Sequence, residues 1–184
     1  MKKILTTAIL CAGLVGFTAC DSFLDEDPKS SLTLDTYYKT SADIIGNVNY
    51  LYRDGAPDKM GNMTGYFVNE YEGQEVDCSY ARQLTRQDFT QSCCNYLTND
   101  TWKSCYKSIN VANAVIKYVD GVEMDNQAQY KAEARFFRAL NYFYLVKMFG
   151  DVPMVTEPTE DATLVEYPTR TAASEVFNTV IIPD

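Results

Sequence analysis

From Trp102 to Phe149 apolar side chains recur mostly at steps of three and four, with one break near Gly121. A period of that length belongs to helices packed side by side, not to a sheet. In the first run Trp102, Cys105, Tyr106, Ile109, Ala112, Ile116 and Val119 share a face, which places Trp102 in the core. Asp100 stands where a helix cap is expected and Gly121 where a helix ends. The second run opens after Asp125, its expected cap, and continues to Phe149, with Gly150 as its stop and Pro153 just beyond.

The second run contains "AEARFFRALNYFYLVKMFGDVP". Advancing about 100 degrees per residue from Phe136 gives an apolar arc about 200 degrees wide, roughly twice that of a simple surface helix. On this count Phe136 and Phe143 belong to the core, and Arg138 and Lys131 lie opposite. The charge-free run from Ala139 to Val146 is far too short to span a bilayer, so the breadth of the arc means packing on two sides. Two-sided burial of consecutive antiparallel helices is how tetratricopeptide-type arrays are built. Ala132, Phe136 and Ala139 reproduce the A-x3-F-x2-A spacing of the second repeat helix, and Trp102 with Ile109 matches the first. The expected fold class is therefore all-α, a tetratricopeptide-like helical repeat, with no strand pair. An earlier helix is expected from Ser41 as cap, carrying Ile44, Ile45, Val48, Leu51 and Tyr52 and stopped by Gly55 and Pro57. A last start at Thr171 leads into Val176, Phe177, Val180 and Ile181, and the array is incomplete at the C-terminus.

Between Asp54 and Asn99 no period is sustained, and the stretch is rich in Gly, Asn, Gln and Tyr. Connections of that length are usually functional. The chain has no histidine, which excludes a Ser-His-Asp triad, a Cys-His pair, His-ligated zinc and imidazole acid/base catalysis. Its formal charge of −9 argues against a nucleic-acid partner. Glu70, Glu72, Glu75 and Asp77 are carboxylates of the kind that glycoside hydrolysis needs in pairs, but nothing in a loop fixes their separation. Cys78, Cys93, Cys94 and Cys105 allow three disulfide pairings or free thiols, and their spacing lacks the paired knuckles of a zinc site.

The N-terminus begins with Lys2 and Lys3, follows with an apolar run from Ile4 to Phe17, and ends in Thr18 and Ala19 before Cys20. That is a signal peptide over residues 1–19. Small residues directly before a cysteine resemble the bacterial lipobox, which implies acylation of Cys20 and a membrane anchor. Residues 20–40, acidic and broken by Pro28, read as a tether, and residues 41–184 as the helical domain.

Together "CDSFLDEDP", "DTYYKTSADIIGNVNYLY", "TWKSCYKSINVANAVI", "AEARFFRALNYFYLVKMFGDVP" and "RTAASEVFNTVIIPD" resemble the N-terminal part of the SusD/RagB family of nutrient-binding outer-membrane lipoproteins. The resemblance implies a surface-exposed, lipid-anchored and non-catalytic protein without cofactor. Its partners would be oligosaccharides, or peptides as in RagB-like relatives, and a SusC-like TonB-dependent transporter. It also implies that most ligand contacts come from loops, many of them in a C-terminal half absent here, so that this portion alone binds weakly or not at all. The 54–99 loop alone mixes aromatic rings with amides and carboxylates, which makes Tyr66, Tyr71, Tyr80 and Tyr96 the candidate ligand contacts, helped by Asn69, Gln74 and Asn95. A helical-repeat scaffold of an envelope complex is the alternative role.

Overall fold

A computed structural model describes residues 33–61, 96–160 and 168–184. The elements are α1 (Leu34–Tyr37), α2 (Ser41–Arg53), α3 (Ala56–Gly61), α4 (Tyr96–Tyr118) and α5 (Gln127–Phe149). They are followed by β1 (Val152–Pro153), β2 (Arg170–Thr171) and α6 (Ala173–Val176), which runs on as a π-helical turn over Phe177–Ile181. The expected helical class holds. The two short strands, paired antiparallel with Val152 opposite Thr171, are an addition to it.

The caps fall one to several residues from their expected places. Thr40 caps α2 in place of Ser41: its hydroxyl accepts from the Asp43 amide at 3.4 Å, while the Asp43 carboxylate accepts from the Thr40 amide at 2.8 Å. This reciprocal pair satisfies two of the donors a helix start leaves open. Pro57 does not stop the chain there, because it sits in the first turn of α3, where proline's missing amide costs nothing. Asp100 lies inside α4, which begins at Tyr96. Asn126 in a left-handed conformation, not Asp125, precedes α5. Gly150 ends α5 as expected, at φ +69.

Helices α4 and α5 form an antiparallel hairpin through Val119–Asn126. Its direction is fixed by side-chain contacts from Trp102 to Phe149, Asn141 to Ser108 and Arg138 to Asn113. Two apolar clusters fill the fold. In one, Tyr38, Ile44, Val48 and Leu51 meet Val115, Val119, Ala134 and Phe137. Tyr38 is buried and stacks on Tyr118 at 5.3 Å, so packing begins within the stretch that reads as tether. In the other, Ala56, Cys105 and Ile109 meet Tyr142, Leu145, Val152, Val176 and Val180, with half-buried Trp102 against them.

The width of the α5 arc is as expected, and its direction is reversed. Ala134, Phe137, Asn141, Tyr142, Tyr144, Leu145 and Val146 are buried, whereas Phe136 is 57% and Phe143 44% exposed. Arg138 points inward, its side chain 12% exposed and paired with Asp184 at 2.5 Å. The reason is chemical: Arg138 and Asn141 find fixed partners inside the fold, so residues that look solvent-seeking are buried and two phenylalanines are not.

Candidate functional site

The described residues nearest the candidate ligand loop are those that hold its two stems. Gly55, at φ +70, makes the turn between α2 and α3 where a β-carbon would collide with Asn141 and Ser108. Its amide donates to Asp54 at 2.8 Å and to Ser104 at 3.2 Å. Fully buried Asn141 accepts from the Ala56 amide at 2.8 Å and donates to the Phe137 carbonyl at 2.7 Å. A satisfied buried amide of this kind rigidifies its surroundings, and here it fixes the start of α3 on the hairpin.

Lys59, only 7% exposed, then bridges the loop ends. Its ammonium lies 3.0 Å from Asp58 and 2.5 Å from Asp100. Burial works against the charge, but the hydrogen bonds to Asp100 and Asp58 and the charge of both carboxylates outweigh it, so the Lys59 pKa sits above the ordinary lysine value. Because Lys59 is two residues before Gly61 and Asp100 four after Tyr96, the chain leaves and rejoins the hairpin at one place. Asp100, expected as a cap, serves as this stem clamp.

Of the expected ligand contacts, Tyr66, Tyr71 and Tyr80 lie outside the described residues, as do Asn69, Gln74, Asn95, the carboxylates Glu70, Glu72, Glu75 and Asp77, and the lipidation candidate Cys20. Tyr96 opens α4, and its side chain also lies outside the description. Cys105 is a free thiol buried in the core, its pKa pushed up to about 12 by burial. The pairings and the zinc tetrad that used Cys105 are therefore excluded, while Cys78, Cys93 and Cys94 lie outside the described residues. Among the described residues no group of three metal-ligating side chains converges, and no helix is long and apolar enough to cross a membrane.

Sequence reasoning missed the polar clamp on the "GDVP" exit. Asp151 accepts from the Ala173 amide at 2.9 Å and so caps α6. Val152 is fully buried. The Tyr106 hydroxyl donates to the Pro153 carbonyl at 2.7 Å, and Tyr142 both accepts from the Val155 amide at 2.7 Å and donates to its carbonyl at 2.9 Å. Burial pushes the Tyr142 pKa up to about 12 and raises that of Tyr106, so both stay neutral donors. Asn113 binds the carbonyls of Val155 and Glu157 at 3.0 and 3.3 Å. The signal was the tyrosines themselves, whose polar ends need partners when their rings are buried.

An antiparallel hairpin flanked by further helices, with Lys59 of α3 pinned to Asp100 of α4, defines a helical-repeat protein. The match is specific: residues 22–182 fit the SusD-like family described as "Starch-binding associating with outer membrane", and the chain belongs to that family. Two similar proteins from Formosa agariphila are SusD-like protein P2, 27% identical over 98% of this chain and 36% of its own length, and SusD-like protein P25, 27% identical over 76% and 29%. The starch-binding protein SusD of Bacteroides thetaiotaomicron is 25% identical over 83% of this chain and 31% of its own. A solved SusD superfamily protein from Parabacteroides distasonis shares the fold at a TM-score of 0.60 and 24% identity, over 83% of this chain and 33% of that one. The chain spans about a third of the length of the curated relatives it matches.

Proposed function

We propose that this chain is the anchored portion of a carbohydrate-binding SusD-like lipoprotein of the outer membrane. It takes nutrient oligosaccharides at the cell surface and delivers them to a SusC-like TonB-dependent transporter without chemical change. The observation that carries this reading is the match of residues 22–182 to a family described by starch binding at the outer membrane. Acylated Cys20 holds the protein to the membrane, facing outward, through a tether that begins directly after it. Tyr66, Tyr71, Tyr80 and Tyr96 offer ring faces for the C–H faces of sugars, in a loop whose stems the Lys59 bridge keeps together.

The test is saturation-transfer NMR of the intact chain against a panel of oligosaccharides including maltoheptaose, with short peptides alongside. Saturable glycan binding in the millimolar range, on the order of −4 kcal/mol, with no reducing ends released, is expected. Binding to peptides alone points to a RagB-like role, released reducing ends restore an enzyme built on the loop carboxylates, and binding to neither shows that Tyr66, Tyr71, Tyr80 and Tyr96 are not sufficient ligand contacts by themselves. For the anchor, Cys20→Ala is expected to leave the membrane fraction, and its retention there contradicts acylation at that residue.

A further inference from the structure

Residues 154–159 make neither helix nor strand, and the hairpin holds this stretch by its main chain. Tyr106, Asn110 and Asn113 stand at steps of four and three on α4, and Arg138 and Tyr142 at a step of four on α5, so each row shares a face. Both rows reach the same segment. Tyr106 donates to the Pro153 carbonyl at 2.7 Å, Tyr142 brackets the amide and carbonyl of Val155 at 2.7 and 2.9 Å, and Asn113 donates to the carbonyls of Val155 and Glu157 at 3.0 and 3.3 Å. Arg138 reaches the Thr156 carbonyl at 3.4 Å, and the Thr159 amide donates to Asn110 at 2.7 Å. Glu160, just beyond, accepts from Lys117 and Tyr118.

The side chains of the stretch take little part. From Met154 to Thr159 only Pro158 is buried, and Thr156, Glu157 and Thr159 are exposed. A furrow that bonds carbonyls and amides and takes in one proline reads a polypeptide by its backbone, so it accepts other sequences of the same shape. Pro153 and Pro158 restrict their own φ and the residue before each, which lowers the entropy such a peptide loses on docking. With so little apolar surface behind it, the segment opens locally, short of global unfolding. We propose that the furrow between α4 and α5 is a binding site for open-chain peptides with this proline spacing, which residues 153–159 fill as a built-in strap that an added peptide displaces. This rests on the backbone hydrogen bonds and not on the glycan reading.

The experiment titrates the intact chain into a fluorescent peptide copying residues 152–160 and follows anisotropy. Saturable binding is expected. Pro158→Gly in the chain weakens the strap and is expected to tighten peptide binding at least about tenfold; Glu160→Gln, at an exposed position, acts in the same direction, and circular dichroism checks that both variants fold. Methylating the peptide amide at the Val155 position removes the donor to Tyr142 and is expected to weaken binding about tenfold. Thr156→Ser, Glu157→Gln and Thr159→Ser together in the peptide are expected to leave its affinity unchanged. No binding to the folded Pro158→Gly chain overturns the proposal. So does binding that ignores the amide methylation, follows the exposed side chains, or gains nothing from either strap variant, because each places the peptide elsewhere.

Discussion

Arg138 shows how far a single side chain departs from its sequence pattern. Its guanidinium grips Asp184 through Nε at 2.5 Å and Nη2 at 2.8 Å, and reaches Asn113 at 3.0 Å. The Asp184 side chain is 7% exposed. Removing one member of a buried pair leaves the other charge without compensation, so Arg138→Ala is expected to destabilise the chain by about 3–5 kcal/mol in urea unfolding; a change within error means the pair is solvated in solution. The phenylalanines give the opposite expectation. Phe136→Ala is expected to change stability by only about 0.5 kcal/mol, while Leu145→Ala, at a fully buried position, costs about 2–5 kcal/mol. Equal losses in thermal denaturation contradict the orientation of α5. These residues were illegible in sequence because a helical wheel counts apolarity, and α5 is apolar on nearly every side. Only the distant partners, Asn113 and Asp184 for Arg138 and Ala56 and Ser108 for Asn141, each more than twenty residues away in the chain, decide which side faces in.

At the scale of elements the period was a good guide and the punctuation a poorer one. The apolar steps over Trp102–Val119 and the stop at Gly150 found α4 and α5, because repeated burial and a positive φ leave strong local marks. Caps were displaced, since Thr40 and Ser41, or Asp125 and Asn126, offer similar side chains and the choice depends on how the chain enters the helix. Asp151 capping α6 across more than twenty residues left no local mark at all. The α2 cap carries a pH dependence. Hydrogen bonds from the Thr40 side chain and backbone hold the Asp43 carboxyl below its ordinary value of 3.8. A depressed carboxyl contributes stability that is present above the unfolded value and lost as pH falls through the folded one. Amide exchange at the start of α2 is therefore expected to rise below about pH 3.8, relative to intrinsic rates, and in Asp43→Asn that acid-dependent rise disappears. Persistence of the rise in the variant assigns it to another carboxyl.

For the molecule as a whole, the proposed function divides the chain into a helical body and a 54–99 segment whose two ends that body holds together. Fold and family were legible because they rest on periods and on whole segments such as the "GDVP" exit, which the structure resolves into a cap, a buried valine and carbonyls held by tyrosine hydroxyls. The stems of the loop were not legible, because Lys59 and Asp100 are forty-one residues apart and neither carries a motif. The measurement that bears most directly on the account is the glycan affinity of the intact chain against that of Tyr66→Ala with Tyr71→Ala and Tyr80→Ala, with the melting temperature followed in both. The account predicts that the triple variant loses saturable binding, at about 1–2 kcal/mol per stacked ring, while its melting temperature stays within a degree or so. Unchanged affinity in the triple variant contradicts it.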